Sequence, residues 1–149
     1  VLQWDKEGSY AISISQKYIS SLKNEPDSFI LSIANMARDL DENLESRPKV
    51  EVEFRNKSGD SVQLPLDEYM PLPARIKVQY TKIPWFDKIM KKGKYEEDEE
   101  PVFHMYEIKL NKIKSLNDNI TYQNISEIIL HFTNGPGKVM IDDVGYISY

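Results

Sequence analysis

The chain contains no cysteine among its 149 residues. Disulfides, thiolate-bound metals and a cysteine nucleophile are therefore excluded. Histidine is nearly as scarce: His104 and His131 are the two imidazoles, and both sit in stretches that alternate as strands rather than in catalytic loops. A hydrolytic triad needs a nucleophile oriented by such a base and a carboxylate behind it. No Gly-x-Ser-x-Gly elbow, glycine-rich phosphate cradle or His-Glu-x-x-His helix occurs. Apolar runs last only a few residues, too few to span a bilayer, and no basic-then-apolar stretch of signal-peptide type opens the sequence. An excess of basic charge is also missing. Lysine and arginine number 19 against 24 acids, a net charge of −5, which does not carry the electrostatic footprint of nucleic-acid binding. The basic cluster from Lys88 to Lys94 is followed at once by the acidic residues 96–100, a pairing of charge blocks typical of a solvated loop.

What is present is a globular composition, 40% hydrophobic and 29% charged. The length suits one domain, residues 1–149, large enough to bury a sizeable core. The chain opens on Val1-Leu-Gln-Trp4 without an initiator methionine, as expected of the C-terminal fragment of a longer protein. Period-two alternation recurs along it. Residues 1–4 and 9–15 read as strands around the turn Asp5-Lys-Glu-Gly8. Residues 28–34, with Phe29, Ile30, Leu31 and Ile33, form a nearly continuous apolar run and so predict a central strand covered on both faces. In residues 49–54, Val50, Val52 and Phe54 alternate with Lys49, Glu51 and Glu53. The turn Asn56-Lys-Ser-Gly-Asp60 then leads to a partner strand through Val62 and Leu64. Residues 74–80 and 102–110 read as further strands. Residues 84–91 could hold a short helix with a proline at its first position, and residues 111–124 read as a polar connection. Eight or nine short strands with little helix suggest a sandwich or a barrel; the very unequal connections favour the sandwich.

The last 25 residues are the most informative. Ile125-Ser-Glu-Ile-Ile-Leu-His-Phe-Thr-Asn134 is a β-rich apolar run, Gly135-Pro-Gly-Lys138 breaks it, and Val139-Met-Ile-Asp-Asp-Val-Gly-Tyr-Ile147 is a second run. The pair reads as a hairpin, with Ile129 and Ile141 as core positions. Adjacent Asp142 and Asp143 are unexpected there, because aspartate is depleted in strands and a buried carboxylate needs hydrogen bonds or a cation.

Two apolar residues, Asp-Asp and a further apolar stretch, closing a chain that begins Leu2-Gln-Trp4 and Gly8-Ser-Tyr-Ala-Ile-Ser-Ile14, carry a resemblance. So do the corner after Phe54 and the strand Tyr106-Glu-Ile-Lys-Leu110. Together they resemble the galactose-binding-like jelly-roll sandwiches, a fold shared by many non-catalytic carbohydrate-binding modules of bacterial secreted hydrolases. The resemblance implies an all-β jelly-roll β-sandwich whose usual first strand, often the bearer of an acidic calcium ligand, is missing from this sequence. It implies an accessory domain rather than an enzyme, an extracellular or cell-surface location, and a polysaccharide or glycan as partner. The alternative is a structural or protein-interaction domain packing against a catalytic domain, with no ligand of its own. Asp142 and Asp143 are the candidate ligands of a structural Ca²⁺, a hard cation that takes carboxylate oxygens. Flat rings stack on the apolar faces of sugars, so Trp85, Phe86 and Tyr69 are the candidate ligand-binding residues; they lie in or beside the long irregular segment 65–101, whose length departs from a minimal module. Tyr80 and Tyr95 flank the same stretch, whereas Trp4 reads as core. Asp39 to Glu45 imitates the start of an EF-hand loop but lacks the glycine at its sixth position. Asn56, Asn119 and Asn124 open Asn-x-Ser/Thr triplets.

Overall fold

The computed structural model describes residues 1–22, 24–37, 47–77 and 99–149. Ten strands appear in it: β1 (Leu2–Trp4), β2 (Gly8–Ser13), β3 (Ser28–Asn35), β4 (Lys49–Asn56), β5 (Ser61–Pro65), β6 (Ile76–Lys77), β7 (Glu99–Glu100), β8 (Phe103–Lys109), β9 (Ile125–Thr133) and β10 (Gly137–Ile147). Two short helices accompany them, α1 (Gln16–Ser21) and α2 (Leu110–Leu116). One antiparallel sheet runs β1-β10-β3-β8 and a second β2-β9-β4-β5, with β6 and β7 forming a separate ribbon. The fold is an all-β sandwich. Among the described residues no helix is long and apolar enough to cross a membrane.

The eight sandwich strands pair in nested fashion: β4 with β5, β3 with β8, β2 with β9, and β1 with β10. Only the innermost pair is a local hairpin. Its turn is built by Asn56, whose Oδ1 accepts the backbone N–H groups of Ser58 (2.9 Å) and Asp60 (3.0 Å) while Nδ2 donates to Asp60 Oδ2. Gly59 completes it at φ 94°, a backbone region that side chains disfavour. The side-chain amide of Asn56 is thus fully engaged, and Asn124 Nδ2 likewise donates to the Asn119 carbonyl (2.8 Å).

Alternation fills one apolar layer between the sheets. Phe29, Leu31 and Ile33 of β3 face Val50, Val52 and Phe54 of β4 and Ile128, Leu130 and Phe132 of β9, all within one core cluster. Phe29 meets Phe54 edge-on at 5.1 Å between centroids, and Trp4 stacks on Phe132 at 4.4 Å. Strand β3 is buried along nearly its whole length, as its continuous apolar run predicts. Trp4 is core, only 7% exposed.

Two sequence expectations are corrected. The final two strands are not a hairpin: β9 pairs with β2 and β4, whereas β10 crosses to the other sheet and pairs with β1 and β3. The Gly/Pro break is therefore a corner between layers. The strands around Asp5–Gly8 part in the same way, β1 to one sheet and β2 to the other. Residues 110–116 form helix α2, which buries Ile113, where a polar connection was expected. Ile129 is buried but points outward, level with Ala11 and Glu53 of the neighbouring strands, and Ile141 is half-buried against the core. Of the strand expected at 74–80, residues 74–77 are described, and Ile76–Lys77 is strand. The expected helix at 84–91 and the acidic loop at 39–45 lie outside the described residues.

The layer makes two variants informative. Phe54→Ala is expected to lose about 3–5 kcal/mol of unfolding free energy by equilibrium urea titration. Gly137→Ala should be at least as damaging, because a Cβ there would lie 2.1 Å from the Trp4 ring, and the ring is pinned against Phe132. A Gly137→Ala protein melting within a few degrees of the parent would contradict this corner packing.

Candidate functional site

At one end of the sandwich β3 begins, β8 and β10 end and β9 begins. The connections that meet there enclose a cleft of about 820 Å³, within the size range of small-molecule sites. The α1–β3 connection contributes Glu25, Pro26 and Asp27, and the β8–α2 junction contributes Lys109, Leu110 and Asn111. Lys114 of α2, residues 121–123 ahead of β9, and Tyr149 beyond β10 complete it.

Backbone hydrogen bonds strap this end together. Asp27 N–H donates to the Ile147 carbonyl (2.8 Å) and Leu110 N–H to the Asp27 carbonyl (3.0 Å). Tyr149 is 82% exposed yet held in place. Its N–H donates to Asp27 Oδ2 at 2.8 Å, and Lys109 Nζ lies 5.0 Å from its ring centroid. Lys109 itself donates to Glu107 Oε1 (2.6 Å), which also accepts from Ser28 Oγ (2.7 Å). These bonds, that of Lys109 foremost, hold the Glu107 carboxyl below its usual value, and the same contact raises Lys109. Beside it, Gln123 Nε2 donates to Tyr122 Oη (3.1 Å). The result is two oriented tyrosines beside carboxylate, ammonium and amide groups, an arrangement that can stack a flat apolar face and hydrogen-bond its edges.

A second polar constellation lies on the outward face of β4 and β9. Glu53 is 5% exposed, and its carboxylate takes a 2.7 Å contact from His131 Nε2 and a 2.8 Å pair from Arg55. Burial works to raise the Glu53 carboxyl, but hydrogen bonds from His131, Arg55 and Ser61, with the Arg55 charge, outweigh it and leave the group below its ordinary 4.5. This is an imidazole oriented by a carboxylate on a sheet surface. The other imidazole, His104, packs edge-on against Tyr106 at 4.6 Å. The clue to the first constellation was parity: Glu51, Glu53 and Arg55 share the outward phase of β4, and His131 lies opposite Glu51.

The residues singled out in the sequence fare differently. Trp85 and Phe86 lie outside the described residues. Tyr69 follows a 3₁₀ turn at Leu66–Glu68; its ring packs on the core under Lys112 Nζ at 4.7 Å, with its hydroxyl shut off from solvent. Asp142 and Asp143 sit at a register shift between Ile141 and Val144, and both side chains are exposed. A bulge turns an extra residue out of the ladder, so neither carboxylate is buried and the pair needs no compensating ion. Among the described residues no group of three or more His, Asp or Glu is arranged to hold a metal. The melting temperature is accordingly expected to be the same in EDTA and in excess calcium; a drop in EDTA reversed by calcium would restore the ion.

The lowered Glu53 pKa sets the sign of a pH effect. A depressed folded-state carboxyl contributes stability above its unfolded pKa and loses it as pH falls through the folded value. Glu53→Gln should therefore flatten the acid limb of the stability curve below about pH 4.5, measured by urea unfolding at several pH values. An unchanged acid limb would sink the assignment. No family model, no curated protein and no solved structure matches the chain, so its function has to be read from the chemistry of its own sites.

Proposed function

We propose that this chain is a non-catalytic accessory domain of a larger secreted bacterial protein, a jelly-roll sandwich of the galactose-binding-like kind that binds carbohydrate. The nested strand pairing, alternating between two sheets, supports the jelly-roll reading. The observation that carries the function is the end cleft, where the clamped ring of Tyr149 and the tethered ring of Tyr122 stand beside Asp27, Asn111 and Gln123. The ligand surface lies there rather than at Tyr69, whose hydroxyl is enclosed.

A second reading has its own support. On the outward face of the β1-β10-β3-β8 sheet, Phe103 is 41% and Met105 58% exposed, level with Ala34 and Ser32 of β3. That patch suits a structural domain resting on a neighbouring catalytic domain.

Native-gel retardation in polysaccharide separates the two. Carbohydrate binding predicts that Tyr122→Ala/Tyr149→Ala abolishes retardation at unchanged melting temperature, while Phe103→Ser/Met105→Ser leaves it intact. Absence of retardation on every polymer tried would leave the interaction reading standing alone.

A further inference from the structure

The charges around the cleft bear on the kind of glycan it takes. Two acids, Glu25 and Asp27, face two bases, Lys109 and Lys114. Lys109 is already paired with Glu107 at 2.6 Å and lies over Tyr149, and one oxygen of Asp27 is taken by the Tyr149 N–H. That leaves Glu25 and Lys114, which among the described residues have no hydrogen-bond or ion-pair partner. They are of opposite sign. A ligand with a charge on every sugar would gain from one and lose to the other, and would still have to shed its own hydration.

Resting on the carbohydrate reading of this cleft, we infer that its ligand is an uncharged glycan rather than a uronate, sulfated or amino-sugar polymer. A neutral pyranose presents hydroxyls that both donate and accept. Lys114 and the Asn111 amide can donate to them and Glu25 can accept, those of Lys114 and Glu25 being charge-assisted hydrogen bonds that are stronger than neutral ones. Lys109 occupies one face of the Tyr149 ring, so the ring offers its other face to a single sugar. Asp27 is a positioning residue here, since it fixes the platform through the Tyr149 N–H.

The test is isothermal titration of the whole chain with glucomannan, galactan and arabinoxylan as neutral probes, polygalacturonate and alginate as acidic ones, and chitosan as the cationic one. Binding is expected only in the neutral set, with affinity changing less than about twofold between about 50 mM and about 500 mM NaCl. Tyr149→Ala should weaken it by about tenfold or more. Asp27→Ala should weaken the same neutral ligand while Asp27→Asn, which keeps the accepting oxygen, restores most of it. Binding of polygalacturonate or alginate that fades with salt and vanishes in Lys114→Gln would overturn this inference and leave the carbohydrate reading standing. Binding of chitosan that vanishes in Glu25→Gln would overturn it in the same way. Failure to bind any of the six would overturn both.

Discussion

One apolar layer, closed from both sides, is the constraint on which the rest of the molecule depends. Neither sheet can bury its own face, so each exists only because the other covers it. The closure is specified by shape as well as by hydrophobicity. Phe29 enters Phe54 at 88°, and at the far end Trp4 stacks on Phe132 while β10 passes beneath the indole at Gly137, where no side chain fits. A layer pinned by aromatic contacts at both ends leaves little freedom for the sheets to slide, and a one-residue slip would turn every inward side chain outward.

That layer was the legible part of the sequence. The alternation at Val50, Val52 and Phe54 and the continuous run around Phe29–Ile33 follow from local chemistry, since the faces they cover are written in the period itself. What could not be read was which strand meets which. Gly135-Pro136-Gly137 punctuates the chain in the same way whether the next strand folds back beside β9 or crosses to the other sheet, and the choice is made by β1 and β3, more than a hundred residues earlier in the chain. Helix α2 is masked in the sequence for a related reason. Leu110, Ile113 and Leu116 are spaced for a helix, but one buried residue, Ile113, anchors it in a stretch whose polar residues otherwise read as loop.

The sites were less legible than the fold, and the two failed differently. Glu53, Arg55 and His131 were visible in phase along their strands; only the pairing of β4 with β9 was lacking to bring them together. Asp27, Tyr122 and Tyr149 had no shared signature at all. They stand on three separate connections, while the longest irregular segment, the kind that usually carries function, holds other exposed-aromatic candidates, Trp85 and Phe86. The Asp142–Asp143 pair shows the converse. Its oddity in a strand was real, but its cause is a bulge that sends both side chains to solvent.

The cleft draws its order from the same closure without sharing the core's chemistry. Its α1–β3 wall is tied to β10 through Asp27 N–H and Ile147, and to the β8–α2 junction through Leu110 N–H and Asp27. Because Ser28 pairs with both Lys109 and Ile147 across the sheet, those ties fix the wall to the first rung of the ladder. A tyrosine standing almost wholly in water would ordinarily be free to rotate, and ordering it on binding would cost roughly 0.5–1.5 kcal/mol. Here Asp27 fixes its backbone and Lys109 lies over its ring before any ligand arrives. Side chains on this rim can therefore change without disturbing Phe29 or Phe54, whereas a shift of the first rung would move the whole platform.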